Sequence, residues 1–598
     1  MKPGLAHDLT IACGLGLLAV LIAGWGSIDF AAPLAISDDY VISLFQTKTL
    51  LRYGGIYTNP EVAFPEGANY LAFPTPEAVQ AFLVWIISRF TGDIFLILHA
   101  FEALCFFTAA MSAYLAMRLT RIPPWLAACG ALAFACAAHL SARAAIHHHL
   151  CFVAVIPWLI RFCFLLPYQR GRLSAPPFRL SALHAAALGI AAASCGLYHA
   201  FFSAAFLGLA IVLTIFMGGG YARVKPALWA LLCLLAAFIL WLLPNYLYIA
   251  EHGIQFPERR YFEQTRYAMR LTDVLIPPLP PFLEKYRTYA AAQEKISPEG
   301  NYNLLGLWGI AGLAGGFLFC LASLFPARTP RLFGRYMRRG PMVKTAAVFM
   351  FAAILFAVPY GLGFIFNMYV SPTLRSQNRV GIFVLFMAVM AAALLLENWR
   401  RRPSTRRGAF YAATSILLAL TLIPASHTIN ALQRASSDAW QKKRDSYREV
   451  LGLLEARQLN AVAQLPSYYF PEAPSRPEFG NAEHFWPYLL DSSARRRWSF
   501  GSMIHQPQWQ LLATMTGWPA EKFIPALRCL GYDAVLIEKL AFGPKAQANL
   551  APWTAELGQT QVILRDDDQR TLIDISKTPP GQCEAVLGPR QLPASPTP

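Results

Sequence analysis

Charge is scarce in this chain. Only 14% of its 598 residues are Asp, Glu, Lys or Arg while 56% are hydrophobic, which excludes an ordinary soluble enzyme of this length. Acid is the scarcer sign, 34 residues against 51 basic ones for a formal net charge of +17. The basic residues are not pooled as a polyanion-binding face would require. They are parcelled into short stretches between apolar runs, which reads as membrane topology and argues against a nucleic-acid partner. No Cys-x-x-Cys pair occurs, so a zinc site of that type is excluded, and no internal repeat of the kind built into many transporters is visible.

Cysteine is also thin outside the apolar runs. Nine of the eleven fall within them, where Cys acts as a small buried hydrophobe. Only Cys529 and Cys583 lie beyond, where an oxidising compartment would permit a disulfide.

What is abundant is hydrophobic length. About 20 apolar residues cross a bilayer, and such windows lie near residues 9 to 30, 93 to 117, 124 to 143, 150 to 167, 182 to 197, 200 to 216, 227 to 248, 303 to 325, 344 to 362, 378 to 396 and 409 to 425. They predict eleven spans. The stretch 77–90, "EAVQAFLVWIISRF", is shorter and ends in Arg89, so it reads as a helix lying in the interface. With the N-terminus cytoplasmic, the loops "MRLTRIPP", "YQRGRLSAPPFRL", "GGGYARVK", "ARTPRLFGRYMRRGPMVK" and "NWRRRPSTRRG" all fall inside and obey the positive-inside rule. The first apolar run is long enough to be retained as a span rather than cleaved as a signal.

The predicted fold is therefore a polytopic α-helical membrane protein. Residues 1–425 form the membrane domain, with a first external loop over 31–92 and a large one over 249–302; residues 426–598 form a small soluble domain outside. Within the latter, "SDAWQKKRDSYREVLGLLEARQL" has helical spacing, "NAVAQLPSYYF" reads as a strand and turn, "PALRCLGYDAVLIEK" as helix, turn and strand, and "TQVILRDDDQRTLIDI" as a hairpin. The domain is α/β and carries no Gly-rich phosphate loop, Ser/His/Asp motif or metal-ligand spacing. Its expected role is structural or acceptor-docking.

The first external loop holds the chemistry. It opens with Asp38 and Asp39 at the end of the first span, continues through the amphipathic "YVISLFQTKTLLRYGG", and is then fixed by Pro and Gly in "NPEVAFPEGANYLAFPTPE". A first span, an external loop opening on acidic residues, interfacial helices, many further spans and an outer soluble domain resemble the GT-C superfamily of integral-membrane glycosyltransferases. The segments "ARAAIHHHL", "GLYHAFFSAAF" and "SQNRVGIFVLF" resemble bacterial members of it.

That resemblance implies transfer of a sugar from a polyprenyl-phosphate carrier to a glycan or glycolipid acceptor, with inversion, at the outer face of a bacterial inner membrane. It implies Asp38 or Asp39 as general base, Asp38 being favoured, with the other positioning the acceptor or modulating its partner. The lipid phosphate needs cations or hydrogen-bond donors; Arg375 and Arg379 are the candidates, supported by His147 and His149. His99, Glu102, Tyr198, His199, Arg259 and Arg260 are candidate substrate contacts, although His99 and Glu102, three residues apart in a span, could simply pair with each other. No cofactor is firmly implied, and a divalent cation stays open: an Asp-Asp pair could hold one, but polyprenyl-phosphate donors do not demand it. The rival readings are a lipid or polysaccharide transporter and a non-catalytic assembly factor for envelope polymers.

Overall fold

A computed structural model describes residues 3–583 except 75–76, 169–181, 255–258, 276–298, 300–303, 325–339, 403–404, 425, 427, 472, 474–478, 517, 544–549, 551–553, 555, 559–560 and 581–582. Two of the basic loops expected to face the cytoplasm, over 169–181 and 325–339, lie outside the described residues, as does most of the 249–302 loop expected to face outside.

Among the described residues, nine helices are long and apolar enough to cross a membrane. They match nine of the eleven predicted windows. The other two windows form apolar helices of 13 and 16 residues, Ala182–Ser194 and Arg407–Leu422. The predicted interfacial stretch forms a helix of only 10 residues, Ala78–Ile87. The architecture is thus a polytopic helical bundle with a small sheet-containing region at the C-terminal end.

Small residues set the bundle's spacing. At Gly312 a Cβ would lie 1.8 Å from the carbonyl oxygen of Ala388, and at Gly189 one would lie 2.1 Å from that of Ala230. Only glycine lets those backbones approach so closely, the usual device where lipid removes the hydrophobic drive for helix pairing. The segment Gln377–Arg400 runs through the centre, 89% of its apolar window buried by neighbours.

Four N-terminal elements position the site. α1 spans Pro3–Ala23, α2 Asp38–Tyr53, α3 Ala78–Ile87 and α4 Ile94–Leu119. α2 begins with Asp38 and Asp39, where the helix dipole favours negative charge. It stops at Gly54, whose φ of 72° is the left-handed conformation that ends helices. α4 starts at Asp93, whose carboxylate accepts from the amides of Phe95 and Leu96 at 2.8 and 3.1 Å. Between α2 and α3, strands β1 (Thr58–Asn59) and β2 (Ala68–Asn69) form a short antiparallel ribbon.

The C-terminal region opens with the amphipathic helix Thr428–Ala456, which buries Trp440, Tyr447, Val450 and Leu454. A mixed five-stranded sheet follows: β3 (Ala461–Leu465), β4 (Arg497–Trp498), β5 (Ala534–Glu538), β6 (Val562–Asp566) and β7 (Arg570–Asp574), in the order β4-β3-β5-β7-β6. β3 pairs parallel with β4 and β5, and β6–β7 is the expected hairpin. Cys529 and Cys583 are joined by a disulfide, their Cα atoms 5.4 Å apart.

This region does not stand apart from the membrane helices. Phe45 of α2 stacks on Phe485 at 4.0 Å between ring centroids, and Tyr70 and Phe470 complete an aromatic core shared by the first loop and the C-terminal region. Lys48 reaches across to donate to the backbone oxygens of Leu489 and Asp491 at 3.2 and 2.7 Å.

Candidate active site

The two aspartates leave the start of α2 in different directions, because successive residues of a helix are about 100° apart. Asp39 faces a cavity of about 370 Å³, with Ser43, Gln46 and Thr47 on the same wall. α3 and the residue before it contribute Glu77, Gln80, Ala81 and Val84; His148 and His149 close another side. Arg259 and Arg375 add positive charge, and Pro471 and Asn481 come from the C-terminal region. The Asp39 side chain is 49% exposed because it looks into this space.

A hydrogen-bond chain sets the charge state of Asp39. Its Oδ2 lies 3.1 Å from His147 Nε2, while His147 Nδ1 lies 2.9 Å from Arg143 Nη1. A guanidinium can only donate, and Arg143 on Nδ1 is much closer than Arg379, whose Nη2 lies 3.5 Å from Nε2, so in the neutral ring Nδ1 accepts and the imidazole proton sits on Nε2, from which it is donated to Asp39. Burial also lowers the pKa of His147, in keeping with a neutral ring. Burial opposes charge on Asp39 too, but the His147 hydrogen bond and the nearby Arg379 outweigh it and hold the carboxyl below its ordinary pKa. Asp39 is therefore an ionised carboxylate at neutral pH, oriented and open to the cavity.

Behind it lies a buried ion cluster. Glu299 accepts from Arg143 at 2.8 Å, from Asn378 at 3.2 Å and from Arg379 at 3.4 Å. Burial opposes its ionisation, but Arg143 and Arg379 hold its carboxyl far below the usual range. Arg379 also lies over the ring of Tyr198 at 4.3 Å. With Tyr198, His199 and His139 it borders a separate small void rather than the main cavity. Arg375 does line the main cavity, paired with Glu263 at 2.8 Å and set on the face of Tyr267 at 5.2 Å.

Asp38 turns the other way. Its Oδ1 accepts from the amide of Ala482 at 3.1 Å, and a Cβ at Gly480 would fall 2.0 Å from the same oxygen. Burial raises its pKa, only partly offset by the backbone amides of Ala482 and Asn481. It ties the first loop to the C-terminal region.

Other sequence candidates are dispersed. His99 Nε2 meets the carbonyl of Ala32 at 2.8 Å and its Nδ1 lies 3.6 Å from Glu102, both side chains fully buried and outside the cavity lining. Arg260 is exposed, and its amide takes the Glu263 carboxylate as a helix cap at 3.2 Å. The three successive histidines diverge: His147 meets Asp39, His148 Nδ1 pairs with Ser43 Oγ, and His149 borders the cavity.

Three residues were not singled out from the sequence. Glu299 lies between Leu271–Leu275 and Gly306–Ser323, with no motif around it. Glu77 opens the stretch read as interfacial, and an acid heading an apolar helix was the signal available; burial pushes its carboxyl up to about 7. Asn481 lies in the C-terminal region, where nothing local marks it. Among the described residues, no group of three or more His, Cys, Asp or Glu is placed to hold a metal ion.

No protein-family model and no curated protein matches the chain. Among solved structures, ArnT from Cupriavidus metallidurans bound to undecaprenyl phosphate superposes with a TM-score of 0.50 at 12% identity, covering 97% of this chain and 99% of that one. The chain shares the fold of that structure. Arabinofuranosyltransferase AftD from mycobacteria aligns at a TM-score of 0.49 and 13% identity over 95% of this chain and 40% of its own. The archaeal oligosaccharyltransferase AglB from Archaeoglobus fulgidus, in complex with an inhibitory peptide and a dolichol-phosphate, aligns at 0.42 and 14% over 90% and 70%. At such identity the likeness concerns the fold alone.

Proposed function

We propose that this protein is a membrane glycosyltransferase that moves a sugar from a polyprenyl-phosphate carrier to an envelope glycan or glycolipid acceptor, with inversion at the anomeric carbon. The observation that carries the reading is the ionised, cavity-facing Asp39, held by a neutral His147 beside two cavity-lining arginines. In this scheme Asp39 takes the proton of the acceptor hydroxyl as its oxygen bonds to the anomeric carbon. The bond from that carbon to the carrier phosphate breaks, and the phosphate keeps the electron pair. Arg259 and Arg375 meet the charge left on the phosphate, and Arg379 acts through the Glu299 cluster rather than by direct contact. The base is thus assigned to Asp39 and not, as the sequence favoured, to Asp38, whose carboxylate is engaged by the C-terminal region.

The same reading places the cavity at the outer leaflet and the C-terminal region in the periplasm, where the Cys529–Cys583 disulfide is chemically at home. Eleven spans with a cytoplasmic N-terminus follow if the two short apolar helices, Ala182–Ser194 and Arg407–Leu422, also cross. Mass spectrometry of lipid-linked and surface glycans from a deletion strain and its parent tests the function. Loss of one sugar substituent is expected; identical glycans in the two strains would overturn it in favour of a transporter or an assembly factor.

A further inference from the structure

The C-terminal region supplies a piece of the cavity that the chemistry above leaves unused. Asn481 lines the cavity that Asp39 faces, with Pro471 from the same region beside it. Its Oδ1 is buried and has no hydrogen-bond partner among the described residues. Buried amide oxygens are nearly always satisfied in folded proteins, so an unpartnered one in a cavity-lining residue points to a ligand donor or water.

The segment carrying Asn481 is also held in place on both sides. Asp38 Oδ1 accepts from the amide of Ala482, one residue on, and occupies the space a Cβ would need at Gly480, one residue before. The adjacent aspartates therefore divide their roles along one helix turn: Asp39 looks into the cavity while Asp38 holds the segment that carries Asn481.

The remaining walls argue for what Asn481 meets. Positive charge comes from Arg259 and Arg375, and apolar surface comes from Ala81 and Val84 of α3; these suit a lipid phosphate and its chain. Asn481 is neutral and can accept from a hydroxyl while donating to another, and Pro471 offers an apolar face beside it. Paired polar and apolar contacts of this kind suit a sugar ring.

We infer that Asn481 is a specificity-determining contact for a hydroxyl-bearing saccharide acceptor, positioned by the Asp38 clasp on the Gly480–Ala482 segment. The inference rests on the proposed transferase reading. Two variants test it in the deletion strain: Asn481→Ala, which removes the contact, and Gly480→Ala, which displaces the clasp. Each is assayed for product glycan by mass spectrometry and, after purification, for thermal stabilisation by undecaprenyl phosphate.

Both variants should cut product by about five- to tenfold, as expected for losing one neutral hydrogen bond, and unmodified acceptor should accumulate. Stabilisation by undecaprenyl phosphate should stay at the wild-type level, and Asn481→Ser should recover part of the product. Unchanged product in Asn481→Ala would overturn the inference, as would a loss of undecaprenyl phosphate binding in that variant, which would move the residue to the donor side. If the wild-type protein itself gains no stability from undecaprenyl phosphate and its deletion changes no glycan, the transferase reading falls and this inference with it.

Discussion

Two acid–histidine pairs in this molecule look alike on paper and differ in what surrounds them. Asp39 lies 3.1 Å from His147 and lines a cavity of about 370 Å³. Glu102 and His99 are 3.6 Å apart within α4, each fully buried. The first pair has a proton-accepting oxygen open to a ligand and a second residue, Arg143, that fixes the histidine tautomer. In the second pair, His99 is tied to the carbonyl of Ala32 and packed against Trp25 at 5.9 Å. A carboxylate needs reach as well as charge to act as a base, and only the first pair has it.

The largest contrast should appear in turnover. Asp39→Asn should lower product formation by about 10²- to 10⁴-fold, the usual share of a general base, while Glu102→Gln should stay within about twofold. Comparable losses in both, measured as product glycan in complemented deletion strains at matched protein level, would erase the distinction.

A smaller effect is expected at the phosphate side. Arg375→Ala removes a cation that lines the cavity, and loss of one charge-assisted hydrogen bond of about 1.5–3 kcal/mol should weaken undecaprenyl phosphate binding by about tenfold or more. Glu102→Gln should leave that affinity alone, and isothermal titration on the purified proteins would read both.

The smallest effect concerns pH. Burial raises the Glu77 carboxyl from 4.5 to about 7, so between those values the folded protein binds more protons than the unfolded chain. The stability this contributes is fully present below pH 4.5 and is lost as pH rises through about 7. Two and a half units correspond to at most about 3 kcal/mol, and less where cavity water screens the group. Glu77→Gln should therefore flatten the fall in Tm between pH 5 and 8; an unchanged slope in thermal scans would show that Glu77 is ionised throughout.

How much of this was legible beforehand depended on the range of the interaction. The nine long helices, the β6–β7 hairpin and the amphipathic Thr428–Ala456 helix follow from local periodicity, and each lies where the pattern placed it. The Cys529–Cys583 bond was permitted by elimination, since the other cysteines lie in apolar runs. The direction of each aspartate was not legible, because a one-residue step on a helix decides between a cavity and a clasp. Nor was Glu299, whose partners Arg143 and Arg379 come from distant segments. Arg379, a candidate for the lipid phosphate, has its guanidinium beside Glu299 and over Tyr198, an arrangement set by residues from distant segments. His99 and Glu102 attracted attention because charge within a span is costly; the structure sets them 3.6 Å apart, beyond hydrogen-bond distance.

The most direct test separates binding from chemistry in one variant. Purified Asp39→Asn and Asp38→Asn are compared with wild type for undecaprenyl phosphate affinity and for turnover of a polyprenyl-phosphate-linked sugar. The account predicts that Asp39→Asn binds undecaprenyl phosphate as wild type does while its turnover falls at least a hundredfold, and that Asp38→Asn loses far less. Wild-type turnover in Asp39→Asn, or a larger loss in Asp38→Asn, would contradict it.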